Sequence, residues 1–499
     1  MAAISTRGTV DTRHALYDRY KETYDMVEAC VEGEQAVKKG KQRWLPVPNP
    51  HEYASKDAAV YNAARRRYDS YLARARFLNA TGRTLNGMLG IVFAEPVKID
   101  LSGALTVLAT DADGKGQPFT QFLRDTTAEV LKSGRGYILS DYTGNGEATE
   151  ETRGDPVLRL FYGSQIINWR TTAGKDTLIV LEYQEDVEDD TGFINQLRTV
   201  WLELRMVNGQ ACVRKWTQET GGRLAVAGMT TKTDLVVLRD ANGNPLDEFP
   251  GAWIGSVNND AFPDPAPLGD IAAMNIGHFQ ADADVVESAR IVGQPTLVVA
   301  GLTEAWADKY LKSGITVGAT TGILLNDTAS AQILQANETN ASTVLKETRA
   351  KEMAMLGAKL LERGTAAKTA TQADYEAQTD NSILSLCAGN VERAVNKALQ
   401  MLARMVGGNG SVQINQRYDM SAIDGNLLTA LLAQVQGGTL SLHDYIRYQQ
   451  KIGLVSPDMT PEQIEDNLRS QAPLPGITGL STEETSAADT ISNNGGTVE

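Results

Sequence analysis

Apolar positions along the chain fall into alternating helical and strand-like periods. Tyr17, Tyr20, Tyr24, Val27 and Val31 recur at helical spacing, and Gly40–Pro50 follows as a proline-punctuated loop. A second helix is expected over Ala58–Leu89, carrying Arg65, Arg66, Arg67, Arg74, Arg76 and Arg83. An amphipathic helix over Phe119–Ser133 leads through Gly134-Arg135-Gly136, read as a turn, into a strand at Tyr137–Ser140. Residues 157–250 then read as a β-meander. Asn208-Gly209 between Arg198–Val207 and Ala211–Trp216 is a strong hairpin signal. The acidic run Glu185–Asp190 is expected at a hairpin tip as an exposed, solubilising loop.

The pattern changes again at Phe262–Pro267, a proline-rich lead into a helix from Leu268 to Val292, stopped by Gly293-Gln294-Pro295. Short β-like pieces follow at Thr296–Ala300, Ile315–Val317, Gly322–Leu325 and Ala331–Leu334. A helix over Ala341–Glu362, a polar break at 363–371 and a long helix over Gln372–Val406 come next. The last would span on the order of 50 Å. Its expected apolar face runs through Ile383, Leu386, Cys387, Val391, Val395, Leu399 and Leu402. Beyond it are a strand at Ser411–Arg417 and helices at Ile423–Gln436, Ser441–Ile452 and Thr460–Ser470. Ser441 with Asp444 and Thr460 with Gln463 have capping spacing. Residues 473–499, rich in Gly, Ser, Thr, Asn and acids, are expected to be disordered.

Charge narrows the function classes. The 499 residues carry 47 Lys and Arg against 62 Asp and Glu, a net −15, which argues against gripping nucleic acid through a broad basic surface. The basic excess sits before Gly90, at about +5. Cys30, Cys212 and Cys387 lie far apart with no CxxC pair, fitting a reducing compartment, and His14, His51, His278 and His443 form no metal-binding spacing. No GxxxxGK[ST], GxSxG or HExxH occurs. No run near 18 apolar residues is present, so a soluble protein made in the cytoplasm, with no membrane partner, is expected. Carboxylate pairs are frequent by chance in so acidic a chain. The residues alone therefore leave open a cytosolic enzyme with an unrecognised carboxylate site.

The order of elements, with its local wording, resembles an uncharacterised family of tailed-bacteriophage portal proteins of podovirus or siphovirus type. The resemblance rests on Cys30–Lys38 followed by Trp44-Leu45-Pro46, on Tyr71–Asn79, Thr84–Phe93 and Ile166–Arg170, and on Gly293–Thr296 and Met355–Leu361. It covers most of the chain to about residue 405. None of these phrases is a catalytic signature; their order and number carry the likeness.

The resemblance implies an α+β portal fold, with an α/β wing, two stem helices, a small α/β clip and a long helix leading to a helical crown. The expected tiers are a wing at 1–262 (helical 1–135, β-meander 157–250), a stem helix at 263–292 and a clip at 293–337. A returning stem helix at 338–362, a tunnel loop at 363–371, a long helix and strand at 372–420, a crown at 421–472 and the tail 473–499 complete them. It implies a ring, usually of twelve subunits, at one capsid vertex, a component of the virion assembled in the host cytoplasm. Double-stranded DNA would pass through its channel without sequence specificity during packaging and ejection. Other implied partners are the terminase large subunit, the major capsid or scaffolding protein and head-completion or tail adaptor proteins. No enzymatic activity and no cofactor or metal is implied. Arg363, Gly364, Thr365, Lys368 and Thr369 become candidates for the loop nearest the DNA. Asp270, Asp282, Asp284 and Glu287 become candidate channel-lining stem charges. Trp306, Tyr310 and Leu311 become candidate clip contacts. Another phage structural component, an adaptor or minor capsid protein, is the alternative within this reading.

Overall fold

A computed structural model describes residues 9–143, 154–188, 195–218, 230–292, 296–301, 303–304, 330–334, 341–358, 370–416, 425–451, 455 and 459–470. The described residues are 50% helical and 24% strand, a mixed α+β architecture. It divides into two compact units, Met1–Tyr418 and Asp419–Glu499. In the first, α1 (Ala15–Glu32), α2 (Glu34–Lys39), α3 (Pro50–Tyr53), α4 (Ala58–Arg74) and α5 (Ala80–Val92) precede β1 (Lys98–Ser102) and α6 (Phe119–Ser133). Strands β2 (Arg135–Tyr142), β3 (Pro156–Tyr162), β4 (Ile166–Thr172), β5 (Lys175–Glu188), β6 (Asn195–Val207), β7 (Gln210–Gln218), β8 (Thr230–Lys232), β9 (Val236–Val237) and β10 (Gly251–Gly255) follow. Then come α7 (Gly269–Val292), β11 (Thr296–Ala300), β12 (Ser330–Leu334), α8 (Ala341–Ala358), α9 (Ala370–Val406) and β13 (Asn409–Gln413).

Two hydrophobic cores share a wall. The antiparallel sheet β10-β2-β3 is buried on both faces, so its side chains alternate between cores. Ile138, Leu158, Ala252 and Ile254 join Val27, Phe122, Leu123, Phe279 and the stripe of α9 in the first core. Tyr137, Leu139, Phe161 and Trp253 join Trp169, Ile179, Leu181 and Leu204 of the second sheet in the other. That sheet is the expected meander, with strand order β4-β5-β6-β7-β8 and β9 also on β7. Its β6–β7 turn places Asn208 and Gly209 at φ 51° and 78°, the left-handed values that a tight hairpin requires.

Arg135 sits where the cores meet. Gly134, at φ 70°, ends α6, and a side chain there would press within 2.4 Å of the Pro265 carbonyl oxygen. The turn therefore drives Arg135 inward, fully buried. Its guanidinium lies 3.8 Å from the centroid of the Trp169 ring and 4.8 Å from that of Trp253, and donates to the Ala261 carbonyl at 2.6 Å. His14 stacks on Trp169 at 4.0 Å and accepts from Leu16 N at 3.1 Å, capping α1. Burial, and then the charge of Arg135, hold the His14 imidazole below its ordinary pKa.

Four sequence expectations are corrected. The helix over Ala58–Leu89 is two helices, because Asn79 caps α5 at Gly82 N (2.8 Å) and bonds the Val31 carbonyl (3.2 Å). Glu185–Glu188, expected in a loop, belong to β5, where Glu185 is held between Arg198 (2.8 Å) and Lys215 (2.9 Å). Among the described side chains of α9, Leu384 is buried in line with Cys387, Ala388 and Val391, leaving Ile383 and Leu386 on the exposed flank. The last strand is Asn409–Gln413 rather than Ser411–Arg417, paired in antiparallel register with β1.

The second unit contains α10 (Gly425–Gln436), α11 (Leu442–Lys451) and α12 (Pro461–Ser470). Ser441 Oγ accepts from Asp444 N at 3.1 Å, while Thr460 and Gln463 exchange both bonds of a capping box. Ile446 is buried.

Replacing Arg135 by Ala empties the space between two indoles and is expected to destabilise the first unit by about 3–5 kcal/mol. Arg135→Met, which keeps an unbranched chain there, should recover part of that loss. Chemical unfolding followed by tryptophan fluorescence measures both.

Candidate functional site

From Ile271 to Ala283, α7 buries polar side chains together with apolar ones. Ile271, Ala272, Ile276, Phe279, Ala281 and Ala283 are buried, but so are Asn275, His278 and Asp282. Each polar group must then find a partner inside. Asn275 gathers the break between α4 and α5. Its side-chain oxygen accepts from Ala80 N (3.2 Å), Thr81 N (3.2 Å) and Thr81 Oγ1 (3.0 Å), and its amide donates to Leu78 O (2.7 Å). Gln280 donates to the Trp44 carbonyl at 2.9 Å.

Helix α8 runs antiparallel along α7: Arg349 meets Gly277, and Lys346 meets Asp282. The Arg349 guanidinium donates to the Gly277 carbonyl. A Cβ at 277 would lie 2.6 Å from its Nη1. Glycine inside a helix costs roughly 0.5–1 kcal/mol relative to alanine, and here it admits the crossing arginine.

The four stem carboxylates are in unlike settings. Asp270 is exposed in the first turn of α7, where a negative charge suits the helix dipole, and no ion pair reaches it among the described residues. Asp282 is buried, ion-paired to Lys346 Nζ at 2.5 Å and accepting from Arg76 N at 3.0 Å. Asp284 accepts from the Tyr71 hydroxyl at 2.6 Å. That tyrosine's pKa is raised by burial and then by Asp284. Glu287 is held by Arg290 at 2.8 Å and Arg74 at 2.5 Å, which keep its carboxyl below the usual glutamate range.

Three of the six arginines named over Ala58–Leu89 enter such pairs. Arg74 is bonded to Glu287, Arg67 to Glu52 and, at 4.0 Å, Arg65 to Asp69. At the far end of α7, β11 and β12 pair antiparallel from Thr296↔Leu334 to Ala300↔Ser330. They close the base of the excursion between α7 and α8. Trp306, Tyr310 and Leu311, the β-like pieces at 315–317 and 322–325, and the loop residues Arg363, Gly364, Thr365, Lys368 and Thr369 lie outside the described residues, as does the tail.

Sequence reasoning missed Asn275, Gly277, His278, Lys346 and Arg349. The available signal was an apolar helix interrupted at i, i+3 and i+7 by Asn, His and Asp. Among the described residues no group of three or more His, Cys, Asp or Glu is placed to hold a metal ion, and no helix is long and apolar enough to cross a membrane.

Residues 267–406, from α7 through α9, match the family described as Domain of unknown function (DUF4055). No curated protein matches. Two solved structures resemble the chain loosely. "Neck of empty GTA particle computed with C6 symmetry" has 13% identity and TM-score 0.38 over 75% of this chain and 90% of the other. "Virion of native gene transfer agent (GTA) particle" has 12% identity and TM-score 0.36 over 75% and 89%.

Asp282→Ala strands the Arg76 N–H and the Lys346 ammonium, and should cost about 1–3 kcal/mol in an unfolding titration. Asp270→Ala should stay within about 0.5 kcal/mol. Because its folded pKa is lowered, Glu287 contributes stability above the ordinary value of 4.5, lost as pH falls through the lowered one. Glu287→Gln should flatten that acid limb of a melting-temperature profile.

Proposed function

We propose that the chain is a portal protein of a tailed bacteriophage or a related particle, forming a ring whose axial channel conducts double-stranded DNA. The supporting observation is the layout of one segment. The 24-residue α7 leads out to an excursion closed at its base by the β11–β12 ribbon, α8 returns antiparallel along α7, and the 37-residue α9 follows. This is the stem, clip, stem and long helix of the portal order. The family match spans the same segment, 267–406.

A conduit must not hold its cargo, since every Lys or Arg contact with a phosphate adds salt-dependent affinity. A chain at −15 suits that role. Asp270 is the exposed stem charge best placed to repel DNA, while Asp282 holds the subunit together and Asp284 and Glu287 divide between both tasks. The loop with Arg363, Gly364, Thr365, Lys368 and Thr369 supplies sparse cations to touch the duplex in passing. Trp306, Tyr310 and Leu311 belong to the docking face for a terminase large subunit and then for adaptor proteins. Capsid or scaffolding protein meets the wing. The role requires no covalent chemistry and no cofactor.

Purified protein should form rings with an axial hole in negative stain, with a mass near twelve times 53.9 kDa. A compact monomer or dimer defeats the proposal. Replacing Gly364–Ala370 by a rigid helical linker should leave rings intact and reduce packaged DNA. A full-length packaged genome in that variant removes the loop from the mechanism.

A further inference from the structure

We propose that α8 is a releasable helix, latched where its partly exposed Lys346 and Arg349 reach the buried His278 and Asp282 of α7, and let go by acid. The inference does not depend on the portal reading. Helix α8 packs on α7 and α5 alone among the major contacts of the described chain. Of its described side chains, Met353 is buried, while Val344 and Leu345 are 58% and 45% exposed. Among these described side chains, apolar burial rests on Met353. Its polar grip is specific: Lys346 on Asp282, and Arg349 crossing α7 at Gly277.

His278 lies in the same seam, one turn before Asp282. It is 5% exposed, and its Nδ1 is buried with no hydrogen-bond partner. The charged groups acting on it are Asp282 from its own helix and Lys346 and Arg349 from α8. The α4–α5 connection brings only the Arg76 backbone N–H, which bonds Asp282, and α5 brings the uncharged Thr81 on Asn275. A proton on the buried imidazole of His278 thus places a third cation around one buried carboxylate.

Release exposes the imidazole to water and returns it to its ordinary affinity for a proton. Burial above all, aided by Lys346 and Arg349 and opposed by Asp282, depresses that affinity in the latched state, so the released state binds the proton more readily. Latching is fully favoured above the ordinary histidine pKa of 6.5. Below it, the latching constant falls by up to about tenfold per pH unit until His278 titrates in the latched state too.

A nitroxide on Thr348→Cys, an exposed position of α8, reads the latch in the full-length protein, because Cys30, Cys212 and Cys387 are buried. Its spectrum should be immobile near pH 8 and gain a mobile fraction reversibly below about pH 6.5. His278→Gln should abolish that acid response, and Gly277→Ala, which pushes Arg349 off its carbonyl, should raise the mobile fraction at every pH. A response that is absent, or that survives His278→Gln, overturns the proposal. So does a label on Gln121→Cys of α6 that loosens at the same midpoint, since the event is then general unfolding. Where His278→Gln does not fold, imidazole NMR replaces it: the His278 signal must titrate in step with the label, and titration beneath an immobile label refutes the latch.

Discussion

A guanidinium held between two indoles is the constraint on which the first unit depends. Stripping water from an arginine costs several kcal/mol unless the site returns it through charge and hydrogen bonding. Burial accordingly lowers the Arg135 pKa to about 10, while Tyr24, Asp260, Asp176 and Asp264 favour the cation. The side chain stays charged at neutral pH, and the faces of Trp169 and Trp253 become its principal solvent. A desolvated cation–π contact is worth about 2 kcal/mol, but only with the rings in place. Trp253 is fixed by its bond to Asp176 at 2.7 Å, and Trp169 by the His14 ring on its other side. Through these contacts one residue ties the start of α1, the meander and the central sheet into a single arrangement.

Helix α7 extends the same logic along its length. Inside, Asn275 collects four hydrogen bonds from the α4–α5 break, so the position of one helix sets the course of two others. Further on, the partners become Asp282 with Lys346 and Glu287 with Arg74 and Arg290, progressively more exposed. The anchored end is over-determined, and the outer end is held by ion pairs that water screens. A segment built this way can keep its root fixed while its outer partner responds to surroundings.

Local chemistry was legible in the sequence. Asn208-Gly209 made its hairpin, and Thr460 and Gln463 made their capping box. These signals succeed because their partners lie within a few residues. The α4–α5 break was not legible, because the side chain that stabilises it belongs to Asn275, about 200 positions away. Gly134-Arg135-Gly136 read as a turn, but only Gly134 turns: Arg135 and Gly136 already pair with β10 as the start of β2, and nothing in three residues reveals two tryptophans waiting to enclose the arginine. The stripe of α9 slipped by one position for a similar reason: which of Ile383 and Leu384 is buried depends on what α9 meets. In the candidate site, the carboxylates were visible as charges, but their division into buried, bonded and free needed the neighbouring helices.

The β1–β13 ribbon joins residue 98 to residue 413, with Lys98 opposite Gln413 and Ser102 opposite Asn409. Chain closure over such a separation is an entropic burden that only completed packing can offset. A growing polypeptide must therefore expose β1 as an unpaired edge until more than three hundred further residues have left the ribosome. Throughout that interval, the strand offers its free backbone groups to any other extended segment nearby. The last strand of the unit thus acts as a closing seam, and its arrival marks the moment when the nascent chain stops being vulnerable to mispairing.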